Sequence, residues 1–114
     1  MFQYDADSDA FLAERNGVLF LCEEPSGELE RFAEALAACY ERRRSDIARH
    51  MLPRLTRIYG DLSAGQLMAA LGKPQIDLDR NVITYLEHTL DDVHIFEVEF
   101  QGMLEEFLYV SIDG

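Results

Sequence analysis

The amino-acid sequence predicts a single α+β domain over residues 1–114, with two or three helices packed on one face of a C-terminal antiparallel β-meander and a mixed segment at the N-terminus. Three observations carry this expectation. Apolar residues recur at three- and four-residue steps from Leu29 to Ile58, the period of a helix face. From residue 75 the period drops to two, the period of a strand with one buried side. The helical pattern precedes these strands and does not alternate with them, which separates α+β from α/β. A hydrophobic fraction of 48% and an aromatic fraction of 11% supply one core, and they outweigh a net charge of −12 that would otherwise suggest disorder.

Residues 1–24 carry mixed signals. Phe2-Gln3-Tyr4 reads as a short edge strand. Ser8 reads as the cap of a brief helix through Asp9–Glu14, ended by Asn16-Gly17. Val18 to Cys22 reads as a buried strand, although so short an apolar run does not by itself separate strand from helix.

Residues 26–59 read as helical. Leu29, Phe32, Leu36, Tyr40, Ile47, Met51, Leu55 and Ile58 form the stripe, and four alanines between 33 and 38 favour the helix. Arg43 falls where an apolar residue is due, and Ser45-Asp46 can cap a new helix. Pro53 removes a backbone donor and crowds the carbonyl of Arg49. The expectation is therefore two helices meeting near Ser45, the second bent at Pro53 and stopped by Gly60; a single kinked helix is the other option. Ser63-x-x-Gln66 matches a capping box for a short helix that Gly72-Lys73-Pro74 ends.

The remaining residues predict strands at Gln75–Leu78, Val82–Glu87, Ile95–Phe100 and Glu106–Ile112, with turns at Asp79-Arg80-Asn81 and Gln101-Gly102. Phe96, Val98 and Phe100 share one face and Glu97 and Glu99 the other. In the last strand Leu108, Val110 and Ile112 oppose Phe107, Tyr109 and Ser111. The acidic alternation predicts one wet sheet face, with helices on the other.

Charge is unevenly spread. Residues 75–114 hold ten acids against Arg80 alone, a net of −9. Arg42, Arg43, Arg44, Arg49, Arg54 and Arg57, opposed by Asp46, give +5 across 42–57. That basic pole is expected to serve the helix dipole and to pair with acids of the fold; a phosphate- or acid-binding patch is the other option, although no Gly-rich loop or aromatic interleaving accompanies it. Bulk acidity excludes non-specific binding of nucleic acid or an anionic membrane and suits a basic protein partner. No run approaches the length of a bilayer span, the first nine residues carry no basic side chain, and no CxxC pair occurs, so the expected location is the cytoplasm. Cys22 and Cys39 are expected to be reduced core residues.

No nucleophile elbow, zinc-protease, P-loop or dinucleotide motif is present, and no cofactor is expected. His88-Thr89-Leu90-Asp91-Asp92-Val93-His94 is the one clustered set of chemistry-bearing side chains. His88, Asp92 and His94 are a candidate metal set or acid–base group, although the spacing matches no ligand signature. The plainer expectation is that the two aspartates bond their own backbone in a turn. The candidate partner-binding residues are Asp91, Asp92, Glu97, Glu99, Glu105 and Glu106.

Leu71-Gly72-Lys73-Pro74, Ile76-Asp77-Leu78-Asp79, Ile83-Thr84-Tyr85-Leu86-Glu87, Leu90-Asp91-Asp92, His94-Ile95, Glu99-Phe100 and Tyr109–Gly114 resemble a small bacterial family known as a domain of unknown function. The likeness covers about the last forty residues and implies helices on a meander in a bacterial cytoplasmic protein; it imports no activity. In size and acidity the chain also resembles immunity proteins that neutralise secreted toxins. The functional expectation is an acidic protein-binding module, with an immunity-type inhibitor as one form of it. A small metal-dependent or acid–base enzyme using the His88–His94 loop, and a homodimer joined through Phe107 and Tyr109, are the alternatives.

Overall fold

A computed structural model describes all 114 residues. Its elements are β1 (Gln3–Asp5), β2 (Ala10–Arg15), β3 (Val18–Cys22), α1 (Gly27–Tyr59), α2 (Ala64–Leu71), β4 (Pro74–Asp77), β5 (Val82–Tyr85), β6 (Ile95–Gln101) and β7 (Glu106–Asp113). The strands form one seven-stranded sheet in sequence order. Every neighbouring pair is antiparallel except β3 and β4, which run parallel, with both helices in the crossover between them.

The N-terminal segment belongs to this sheet. The short helix expected at Asp9–Glu14 is strand β2, paired with β1 and β3. Asn16 and Gly17 do not end a helix; they form the two-residue turn of a hairpin, with φ of 52° and 79°. Both central residues of that turn type need positive φ, which Asn and Gly adopt most readily. Phe11 and Ala13 thereby point to the helices and Leu12 and Glu14 away from them, the alternation that the sheet demands.

Residues 27–59 form one helix, not two. Ser26 caps it, accepting from the Leu29 amide, and Ser45-Asp46 lies in its interior. Arg43 interrupts the apolar stripe because it serves the neighbouring hairpin. Its Nε donates to the Leu104 carbonyl at 3.0 Å, and its guanidinium bonds Asp46 at 2.7 Å and lies 5.0 Å from the centre of the Phe107 ring. Asp46 also pairs with Arg49, so the helix continues where a cap was expected. Pro53 sits on the exposed side of the helix, where water can take over the freed carbonyl. Ile58 is 47% exposed, and the stripe closes on half-buried Tyr59 instead. Ser63 and Gln66 make the capping box of α2 as expected.

One core lies between the helices and a single sheet face. Leu36, Ile47, Met51 and Leu55 of α1 and Leu67 of α2 meet Phe20, Ile76, Ile83, Phe96 and Val98. Tyr40 and Tyr85 bring the core's one buried hydroxyl pair, 2.8 Å apart. Cys22 and Cys39 are both free and buried.

The meander β4–β7 matches the expected strands, with one departure. Val98 pairs with Val110 and Phe100 with Phe107, so Leu108 and Tyr109 together oppose Glu99 in a β-bulge. The extra residue flips the side-chain alternation. Phe107 turns inward beneath Arg43 and His50, while Tyr109 stays on the outer face at 63% exposure. The aromatic strip expected to join two copies through Phe107 and Tyr109 is therefore split between opposite faces. No helix of the chain is long and apolar enough to cross a membrane.

Candidate functional site

The loop between β5 and β6 uses its polar groups internally. Asp91 accepts the Val93 and His94 amides through Oδ1, at 3.1 and 2.9 Å. Its Oδ2 takes the Tyr59 hydroxyl at 2.5 Å and His94 Nδ1 at 2.6 Å. One carboxylate thus shapes the turn and pins it to the last residue of α1. Those hydrogen bonds, the Tyr59 hydroxyl foremost, hold the Asp91 carboxyl far below the usual carboxylate range. Desolvation and the adjacent carboxylate push the Tyr59 phenol well above its ordinary value.

A carboxyl group depressed on folding contributes stability that is complete above its unfolded pKa, near 3.8, and that drains away as pH falls toward the folded value. Asp91→Asn should therefore lower the melting temperature at pH 7 and flatten the decline of stability below pH 4. Thermal melts followed by circular dichroism from pH 7 to 2 measure both effects. Parallel acid limbs in the two proteins would rule the clamp out.

His88 is buried and stacked on Phe96, with ring centres 4.0 Å apart. Its Nδ1 accepts the Leu90 amide at 3.2 Å, so its Nε2 carries the proton and donates to the His94 carbonyl at 2.6 Å. Both ring nitrogens are committed, leaving no lone pair for a metal. Asp92 is exposed and apart from the cluster. No three His, Cys, Asp or Glu side chains converge as a metal site. The candidate set His88, Asp92 and His94 is thus not brought together, and no depression opens beside the loop for a substrate.

The candidate acids fall in three places. Asp91 and Asp92 lie in the β5–β6 loop. Glu105 lies in the β6–β7 turn, where its Oε1 accepts the Met103 amide, and Glu106 starts β7 beside it. Glu97 and Glu99 point outward from the middle of β6, between buried Phe96, Val98 and Phe100. Their burial pattern is the one that the alternation in sequence predicts.

Glu97 and Glu99 border a shallow notch completed by Arg80, Val82, Tyr109 and Ser111. Val82, 6% exposed, forms its floor. Thr84 Oγ1 donates to Glu97 at 3.3 Å, Glu99 has no hydrogen-bond partner, and neither glutamate is in a salt bridge, Arg80 included. The Arg54 guanidinium reaches the Tyr109 ring from α1, 5.4 Å from its centre.

No family model, curated protein or solved structure matches the chain.

What the site can do therefore follows from its own geometry. The outer sheet face carries no covering layer, because both helices lie on the other side. Register places two rows across it. Leu12, Leu21, Asp77, Val82 and Glu99 form one; Leu19, Gln75, Thr84, Glu97 and Ser111 form the next. Leu12, Leu19 and Leu21 are half-exposed on this face and come from the N-terminal hairpin. The sequence marked them poorly: Ala10–Arg15 is four apolar residues followed by Glu14-Arg15, without alternation, and only pairing with β1 and β3 makes it a strand.

Proposed function

We propose that this chain is an acidic protein-binding module whose partner is a basic protein, met through the outer face of the sheet. The observation that carries the reading is an uncovered sheet face on which Glu97 and Glu99 stand outside any ion pair of the fold, with Arg80 the one base lining their notch. Two like charges on adjacent same-face positions repel, and a cationic partner turns that cost into attraction. The net charge of −12 extends the same field and speeds encounter at low salt. An immunity-type inhibitor, which covers a basic toxin, is the form of this function that the acidity and size best suit. The bacterial cytoplasm is the location that goes with it.

The test is retention of a partner from the producing cell, or of the products of neighbouring genes, at low salt. Reversal of Glu97 and Glu99 to Lys should abolish retention while circular dichroism stays unchanged. Failure to retain any protein at low salt, or retention indifferent to the reversal and to salt, would sink this function.

A further inference from the structure

The outer face is divided between two chemistries, and the division defines how a partner sits. On β2 and β3 lie Leu12 and Leu21, a directly opposed cross-strand pair, with Leu19 two residues along. Their charged outer-face neighbour Glu14 is already paired with Lys73. On β5–β7 lies the notch floored by Val82 and edged by Glu97, Glu99 and Tyr109. Between the two halves stands Asp77, whose Oδ1 is occupied by the Asp79 and Arg80 amides at 2.9 and 3.1 Å. Asp77 is thus a turn-former, and the free carboxylates of these two rows are the two at the notch.

We propose that a basic partner docks across both halves at once, laying an apolar or aromatic side chain on Leu12, Leu19 and Leu21 and placing an arginine in the Glu97–Glu99–Tyr109 notch. This deepens the protein-binding function above and rests on it. Arginine is favoured over lysine by shape. A planar guanidinium offers two carboxylates a fixed fork of donors that a compact ammonium lacks, while the Tyr109 ring at the rim already meets the Arg54 guanidinium 5.4 Å from its centre. The arrangement has an apolar centre beside an aromatic and charged anchor, the composition that dominates binding energy in protein interfaces. Arg80 sets the notch's selectivity. Arg80 lines the notch without an ion pair to either glutamate, so its charge opposes an incoming cation and restricts the site to one that can make good bonds to both acids.

The probe is the tripeptide amide Arg-Trp-Arg, titrated into the full chain and followed by amide chemical shifts, with Lys-Trp-Lys and Glu-Trp-Glu as comparators. Saturable shifts should centre on Leu19, Leu21, Val82, Glu97, Glu99 and Tyr109, with Arg-Trp-Arg tightest and Glu-Trp-Glu inert. Glu97→Gln with Glu99→Gln should weaken binding roughly tenfold, and Arg80→Ala should tighten it roughly threefold. Leu19→Ser with Leu21→Ser, half-exposed positions whose loss leaves the core intact, should weaken the tryptophan peptide but not an Arg-Gly-Arg control. Shifts centred on the Gln101–Glu106 turn or the Asp5–Asp9 turn would overturn the proposal. So would binding unchanged by Glu97→Gln with Glu99→Gln, or equal binding of the lysine peptide. Each of those results removes this docking arrangement and leaves the basic-partner reading standing, which fails only on the retention experiment.

Discussion

Phe20→Ala is expected to remove about 3–5 kcal/mol of folding stability, measured as a lower midpoint at unchanged slope in urea unfolding. Phe20 is fully buried at the centre of β3. It pairs with Ala13 on one side and with Ile76 across the parallel junction on the other. Truncation leaves a cavity under α1 that the rigid sheet cannot close. It also weakens the seam that joins the N-terminal hairpin to the meander. With a typical total stability of about 5–15 kcal/mol, the variant should sit close to unfolding at 37 °C. Leu19→Ala, next in sequence but on the outer face, should cost far less. A loss below about 1 kcal/mol for Phe20→Ala would mean that β1–β3 is a detachable appendage and that residues 25–114 hold the cooperative core.

The importance of that hairpin marks where the sequence was legible and where it was not. The meander could be read because Ile95–Gln101 alternates strictly, with apolar residues against Glu97 and Glu99, and nothing in the chain competes with that pattern. The capping box at Ser63 and Gln66 was equally plain, since it is local chemistry completed within four residues. The first 24 residues misled for a physical reason. Ala10–Arg15 has good helix formers, and its strand state is decided by pairing with Val18–Cys22, which itself depends on β4 more than fifty residues away. The Asn16-Gly17 turn signal was present, but it is compatible with a helix end until the flanking strands are known. Arg43 misled for the opposite reason. A charged residue on an apolar stripe looks like a break when its partners, the Leu104 carbonyl and Phe107, lie sixty residues on. The bulge at Leu108-Tyr109 had no sequence mark at all, and it turns Phe107 to the inner face while Tyr109 keeps the outward side that alternation from Val110 predicts. Of the outer face, Glu97 and Glu99 were thus readable, and the leucines of the N-terminal hairpin depended on long-range strand pairing.

Tyr40 and Tyr85 give the second large effect. Their hydroxyls bond each other at 2.8 Å inside the core, and no buried side-chain polar atom is left without a partner. Burial pushes both phenols up, Tyr85 furthest, so both stay protonated and neutral through the ordinary pH range. Removing one hydroxyl strands the other, and the cost depends on which is stranded. Tyr40→Phe leaves the Tyr85 hydroxyl alone at full burial and should cost about 2–3 kcal/mol. Tyr85→Phe leaves the hydroxyl of Tyr40, a residue 6% exposed where Tyr85 is fully enclosed, and should cost less, about 1 kcal/mol. The double variant should cost less than the sum of the two, because it removes donor and acceptor together and leaves an apolar contact of nearly the same shape. Urea unfolding of the three variants closes this cycle. Strict additivity would show that the two hydroxyls do not depend on each other, and a reversed order of the single variants would place water at Tyr85 and not at Tyr40. A less-than-additive double with Tyr40→Phe the worse single means that the pair fixes where α1 lies on β5, directly behind the outer-face residues Thr84 and Glu97.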